Sequence, residues 1–125
     1  MKKKKLKSLC FDIDGVIFKK NTSVNKKLKY NNLVPIKKNI KFINDLYKKG
    51  YNITLFTARY MGKYNNNRFL AEKKIKKKTI FQLKKCKLNY NNIFFGKPSF
   101  DLLIDDQAIF FKKNWIPELK KILLG

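Results

Sequence analysis

A chain of 125 residues, 44% hydrophobic and 14% aromatic, is long enough for one sizeable core, which excludes a disordered polymer and leaves no length for a second domain. No apolar stretch reaches the roughly 18–20 residues that span a bilayer, and the basic start, Met1 to Lys7, leads into a run broken by two aspartates; no membrane span or secretory signal is expected. The 31 lysines and arginines against 8 acids give a net charge of +23, and the absence of histidine removes imidazole from both catalysis and metal ligation.

Lys7 to Ile13 reads as a first strand, stopped at Gly15. Val16 to Leu33 is polar and Asn/Lys-rich, a hairpin or loop too short to fold alone. Pro35 is expected to open a helix at its favoured first-turn position, with Ile36, Ile40, Ile43, Leu46 and Tyr47 at helical spacing and Gly50 as the stop. Ile53-Thr54-Leu55-Phe56 is a second strand, ending at Thr57-Ala58-Arg59, and Tyr60 to Asn67 is a loop. A second helix lies within Arg68 to Lys87, broken if Thr79 and Gln82 form an internal capping box. Ile93-Phe94-Phe95 is a third strand, followed by Gly96-Lys97-Pro98. Leu102-Leu103-Ile104 is expected to be a fourth, ending at Asp105-Asp106, and Pro117 to open a last short helix. Strands alternating with helices predict one α/β domain over residues 1–125, a Rossmann-like three-layer sandwich with a mainly parallel sheet and helices on both faces.

Cys10 and Cys86 sit in apolar surroundings with no metal-type spacing and read as reduced, buried thiols of a cytoplasmic protein. Arg59 and Arg68 are the only arginines, so nearly all the positive charge is lysine, spread along the chain with Asn, Ile, Phe and Tyr. Two origins of that charge stay open: codon bias of an AT-rich genome, or a surface selected to bind polyanions.

Against so few acids, the clustering of four of them is informative. Asp12/Asp14 and Asp105/Asp106 each close an apolar run. In open α/β sheets the ligand crevice lies outside the carboxyl ends of the strands, where Asp12, Asp14, Thr57, Lys97 and Asp105 are all expected. Side chains two apart on a strand share a face, so Asp12 and Asp14 can share a target, while Gly15 allows a sharp turn with amides near a bound anion. Three hard oxygen ligands suit Mg²⁺ with a substrate phosphate. A carboxylate can attack phosphorus, a second can move the proton, and Lys97 with the Thr57 hydroxyl can neutralise the transferring oxygens.

Taken singly, each group has an ordinary structural explanation. Asp and Gly are common turn residues, Thr57 can be a strand-end residue, Gly96 and Pro98 can simply build a turn, and Asp105-Asp106 can cap the turn at Gln107 to Phe111. Arg59 either reaches substrate or forms an ion pair. Trp115 and the other aromatics read as core. It is the ordered combination that points to a site. A receiver domain uses similar residues, but there the phospho-acceptor Asp lies mid-chain and Lys-Pro follows the Thr near the end; here Asp-Asp comes after Lys-Pro.

The chain resembles the haloacid dehalogenase superfamily of phosphohydrolases in four ordered motifs: Phe11-Asp12-Ile13-Asp14-Gly15-Val16, Leu55-Phe56-Thr57-Ala58-Arg59, Lys97, and Leu103-Ile104-Asp105-Asp106. Phe56 to Arg59, Phe95 to Pro98 and Asp101 to Ala108 are similar to small bacterial phosphatases of capsule or surface-polysaccharide biosynthesis. The resemblance implies Asp12 as nucleophile and Asp14 as general acid/base. It implies Mg²⁺ held by Asp12, Asp14 (through its backbone carbonyl) and Asp105, with Asp106 behind them, phosphate held by Thr57 and Lys97, and Arg59 near substrate. No insertion is long enough for a cap domain, so a capless enzyme with an open site is expected. Such a site takes a large substrate or is closed by a neighbouring subunit, which makes a homo-oligomer one expected state. The expected function is Mg²⁺-dependent hydrolysis of a phosphomonoester, a sugar phosphate or polysaccharide precursor. The rival readings are a nucleic-acid-binding module and a nucleic-acid-end phosphatase, both using the lysine-rich surface.

Overall fold

The computed structural model describes residues 6–21 and 29–124. Among them three strands and three helices alternate: β1 (Ser8–Phe11), α1 (Lys37–Lys48), β2 (Asn52–Thr57), α2 (Arg68–Lys85), β3 (Asn92–Phe95) and α3 (Trp115–Leu124). The strands form one parallel sheet in the order β1-β2-β3, with Phe11 opposite Leu55 and Thr57 opposite Phe95. Parallel neighbours need a crossover of about a dozen residues or more, and α1 and α2 provide the two crossovers. The chain is thus α/β with a Rossmann-like parallel sheet, as its alternating elements predict. Among the described residues no helix is long and apolar enough to cross a membrane.

Alternation along the strands decides which face is buried. Phe11, Ile53, Leu55, Thr57 and Phe95 are buried, whereas Ser8, Cys10, Asn52 and Phe94 between them are exposed. On the buried side Ile40, Ile43 and Leu46 of α1, Leu83 of α2 and Trp115, Ile116 and Leu119 of α3 join the strands in one cluster. Residues of all three helices join that one cluster, so the two faces of the sheet are unequally covered. Cys10, expected to be buried, is exposed for this reason, while Cys86 is half-buried; neither forms a disulfide. Trp115 is core as expected, edge-on to Phe11 at 6.1 Å and to Phe42 at 5.7 Å.

Several local expectations change. Pro35 does not open α1: it pairs with Phe18 in an antiparallel bridge, and Ile36 is the residue before the helix. Val16, Ile17 and Phe18, grouped with a polar loop, are core residues. They are folded inward by a turn in which the Ile13 carbonyl accepts from the amides of Val16, Ile17 and Phe18. Residues 22–28 of that expected loop lie outside the described residues. The second helix is unbroken, capped by the Asn67 side chain, which accepts the Leu70 N–H at 3.2 Å. The expected fourth strand is not formed: Leu102, Leu103 and Ile104 are 75%, 52% and 92% exposed. Three apolar residues between Asp101 and Asp105 offer too short a ladder to offset the entropy of ordering them.

Candidate functional site

Each strand delivers one polar group to the carboxyl edge of the sheet. Asp12 directly follows β1, Thr57 is the last residue of β2, and Lys97 lies two residues beyond β3. The loop after β3 is tied to the end of β2 by the Lys97 N–H, which donates to the Thr57 carbonyl at 3.1 Å. This brings Lys97 Nζ to 3.7 Å from Asp12 Oδ2. The other Asp12 oxygen accepts the Ile13 N–H at 2.8 Å. Burial pushes the Asp12 carboxyl above the usual carboxylate range; Lys97 and the Ile13 N–H pull it back, Asp14 adds to the rise, and Lys20 lowers it. Lys20 is a second cation near the carboxylate that the motifs did not reveal.

Asp14 is held differently. Arg59 Nε and Nη2 donate to its two oxygens, both at 2.9 Å, in a bidentate pair. The Arg59 side chain is wholly buried and that of Asp14 is 25% exposed. The remaining guanidinium nitrogen, Nη1, donates to Thr79 Oγ1 at 3.0 Å and to Gln82 Oε1 at 2.7 Å. The Tyr30 ring lies 4.8 Å and the Phe18 ring 5.9 Å from the guanidinium carbon, closing the cage. A buried cation is tolerated only when paired and hydrogen-bonded, and every arm of Arg59 is. Of the two readings for Arg59, the structure shows the ion pair, with Asp14 as its partner.

Thr57 is buried too, and its Oγ1 accepts the Arg59 backbone N–H at 3.1 Å, leaving the hydroxyl proton as what it can offer a ligand. Gly15 has φ +90°, the left-handed turn a glycine permits, but its N–H is spent on the Phe18 carbonyl at 2.7 Å instead of facing an anion. Gly96, at φ +95°, takes the left-handed conformation that glycine permits, and it lies against the Arg68 side chain, which a Cβ there would force to shift. That contact places Arg68, at the start of α2, beside the loop carrying Lys97.

Asp105 and Asp106 do not join this group. Both are exposed, and Asp105 Oδ1 accepts the Gln107 N–H at 2.8 Å, the turn-capping role weighed as the ordinary alternative. With no fourth strand there is no strand end to carry them to the edge. Among the described residues no three acids or cysteines gather as a metal-holding cluster. The donor set that is gathered, Asp12 with Asp14, fits Mg²⁺ only as a partial shell of hard oxygens; this cation is commonly held by one or two carboxylates together with water and substrate phosphate.

Thr79, Gln82 and Tyr30 are the participants the motifs missed. One signal was present. Ile75, Thr79 and Leu83 fall four apart on one helical stripe and are all buried, so a hydroxyl interrupts an apolar stripe. Such a residue needs a buried polar partner, and here it is Arg59.

No protein-family model and no curated protein matches the chain. Among solved structures, the crystal structure of an MCSG target from Vibrio cholerae is similar over 94% of this chain and 98% of that one, with a TM-score of 0.69 and 27% identity.

Proposed function

We propose that the chain is a phosphomonoesterase of haloacid dehalogenase type that works through an aspartyl-phosphate on Asp12. The observation that carries this reading is the convergence of Asp12, Lys97, Thr57 and the Arg59-held Asp14 on one edge of a parallel sheet, with an ammonium 3.7 Å from the attacking carboxylate. Lys97 would balance charge on the phosphoryl oxygens, and the Thr57 hydroxyl would donate to one of them. Asp12 attacks phosphorus as the ester oxygen leaves; water then cleaves the acyl phosphate, releasing phosphate and restoring the carboxylate. Asp14, fixed in direction by Arg59, would move the proton to the leaving oxygen and then take one from water. Bound Mg²⁺, with Asp12 and the Asp14 backbone carbonyl as its protein donors, would neutralise phosphate charge.

A sugar phosphate or surface-polysaccharide precursor is the proposed substrate class. The test is hydrolysis of p-nitrophenyl phosphate and a panel of sugar phosphates, nucleotides and oligonucleotide ends, with Mg²⁺ and with a chelator. Turnover that needs Mg²⁺ and falls at least about a thousandfold in Asp12→Asn is expected, because the nucleophile is removed. No turnover on any substrate, together with tight salt-sensitive DNA binding, would replace this reading with a nucleic-acid-binding module. A strong preference for oligonucleotide ends would move the substrate class.

A further inference from the structure

Beside the Arg59 cage, a cavity of about 530 Å³ opens between the segment at Tyr30 to Pro35 and the exposed flank of α2. Its walls include the rings of Phe18, Tyr30 and Phe81, and Lys78 and Lys85 stand on its α2 side. No carboxylate is among its described lining residues, and neither lysine has an acidic partner among the described ion pairs. Lys78 Nζ is directed across the opening by a hydrogen bond to Asn31 Oδ1. The volume lies within the range of small-molecule sites and holds one nucleotide unit rather than a strand.

These features together define an occupant. Aromatic walls favour a flat ring, since every nucleobase offers a π-face for stacking. Two ammonium groups at the same opening, neither with an acidic partner among the described ion pairs, favour phosphate. Phe81 is 66% exposed, an apolar ring left in water until something covers it. We infer that this cavity binds a nucleoside monophosphate, with the base between the aromatic walls and the phosphate at Lys78 and Lys85.

The cavity is also wired to the strand-end site. Gln82 lines it, accepts from Arg59 Nη1 and donates through Nε2 to the Tyr30 carbonyl at 2.6 Å. Tyr30 lines it and stacks on the Arg59 guanidinium. A ligand that moves either residue therefore moves the partner of Asp14. Binding itself does not depend on whether the strand-end site is catalytic.

The experiment is calorimetric titration of the full chain with AMP, GMP, CMP and UMP in a chelator at fixed salt, with ribose 5-phosphate and inorganic phosphate as probes that lack the ring. At least one nucleotide is expected to bind about tenfold or more tighter than ribose 5-phosphate. Phe81→Ala with Lys85→Glu should weaken it about tenfold or more, while Phe69→Ala with Lys84→Glu, equal in charge change but outside the lining, should not. All four positions are exposed, so each variant folds as the parent does. Equal affinity for phosphate and nucleotide, equal losses in both double variants, or loss in Lys97→Met instead would each overturn the proposal.

Discussion

Burial holds the Asp12 carboxyl above the usual carboxylate range, so its ionisation works against the fold. Between the unfolded and folded pKa values the native state binds more protons than the unfolded chain. Stability therefore falls as pH rises through that window and stays lower above it, while below the unfolded value the penalty is absent. Asp12→Asn in a chelator at pH 7 should accordingly raise the melting temperature, on the order of 1–3 °C, with the difference vanishing below about pH 3. Two residues along the chain the sign reverses. Asp14→Ala strands the wholly buried Arg59 guanidinium without its counter-charge, and removing one partner of a buried pair costs about 3–5 kcal/mol. Urea unfolding of the two variants side by side reads the contrast; similar shifts in the same direction would refute it. Arg59→Lys should not rescue the cage, because one ammonium cannot fork to Asp14 while also reaching Thr79 and Gln82.

The strands rank in stability by what covers them. Ile53 and Leu55 of β2, the central strand, are 0% exposed, so Leu55→Ala should cost about 2–5 kcal/mol. Ile104, 92% exposed, should tolerate Ile104→Ser within about 0.5 kcal/mol. A cost near that of Leu55→Ala, read from the same denaturation curves, would mean that the segment packs as a strand after all. The difference also shows what the sequence could and could not convey. The largely apolar Ile53 to Phe56 announced the second strand, which buries alternate residues over the six positions Asn52–Thr57; Leu102 to Ile104 is as apolar but has only three residues between acids. The strand-end convergence of Asp12, Thr57 and Lys97 was legible because Gly15 and Gly96 with Pro98 mark where the first and third strands stop, and Thr57-Ala58-Arg59 closes the apolar run of the second. The Arg59 cage was not, since its contacts join residues 20 to 45 positions apart, from the segments after β1 and β2 to α2. Likewise Val16 to Phe18 looked like loop because a three-residue turn into the core has no period.

At the scale of the molecule, 31 cations face 8 acids, and among the described residues they make three ion pairs, one of them the Arg59–Asp14 pair. Most lysines therefore meet other lysines, and their mutual repulsion opposes the compact state. The same repulsion keeps copies apart, which matters for a chain whose two outer strands, β1 and β3, have open edges among the described residues and whose Phe69, Leu102, Ile104 and Phe110 are exposed. Salt separates these effects, because the screening length shrinks from about 30 Å at 0.01 M to about 3 Å at 1 M. Raising NaCl across this range should increase the melting temperature at low protein concentration, by several degrees, since repulsion is screened while the caged Arg59–Asp14 pair is not. At high protein concentration the same salt should promote self-association, seen as rising light scattering. A melting temperature that falls with salt would mean that exposed ion pairs outweigh repulsion, against the count of three. If scattering stays flat, charge is not what holds copies of the exposed sheet edges apart.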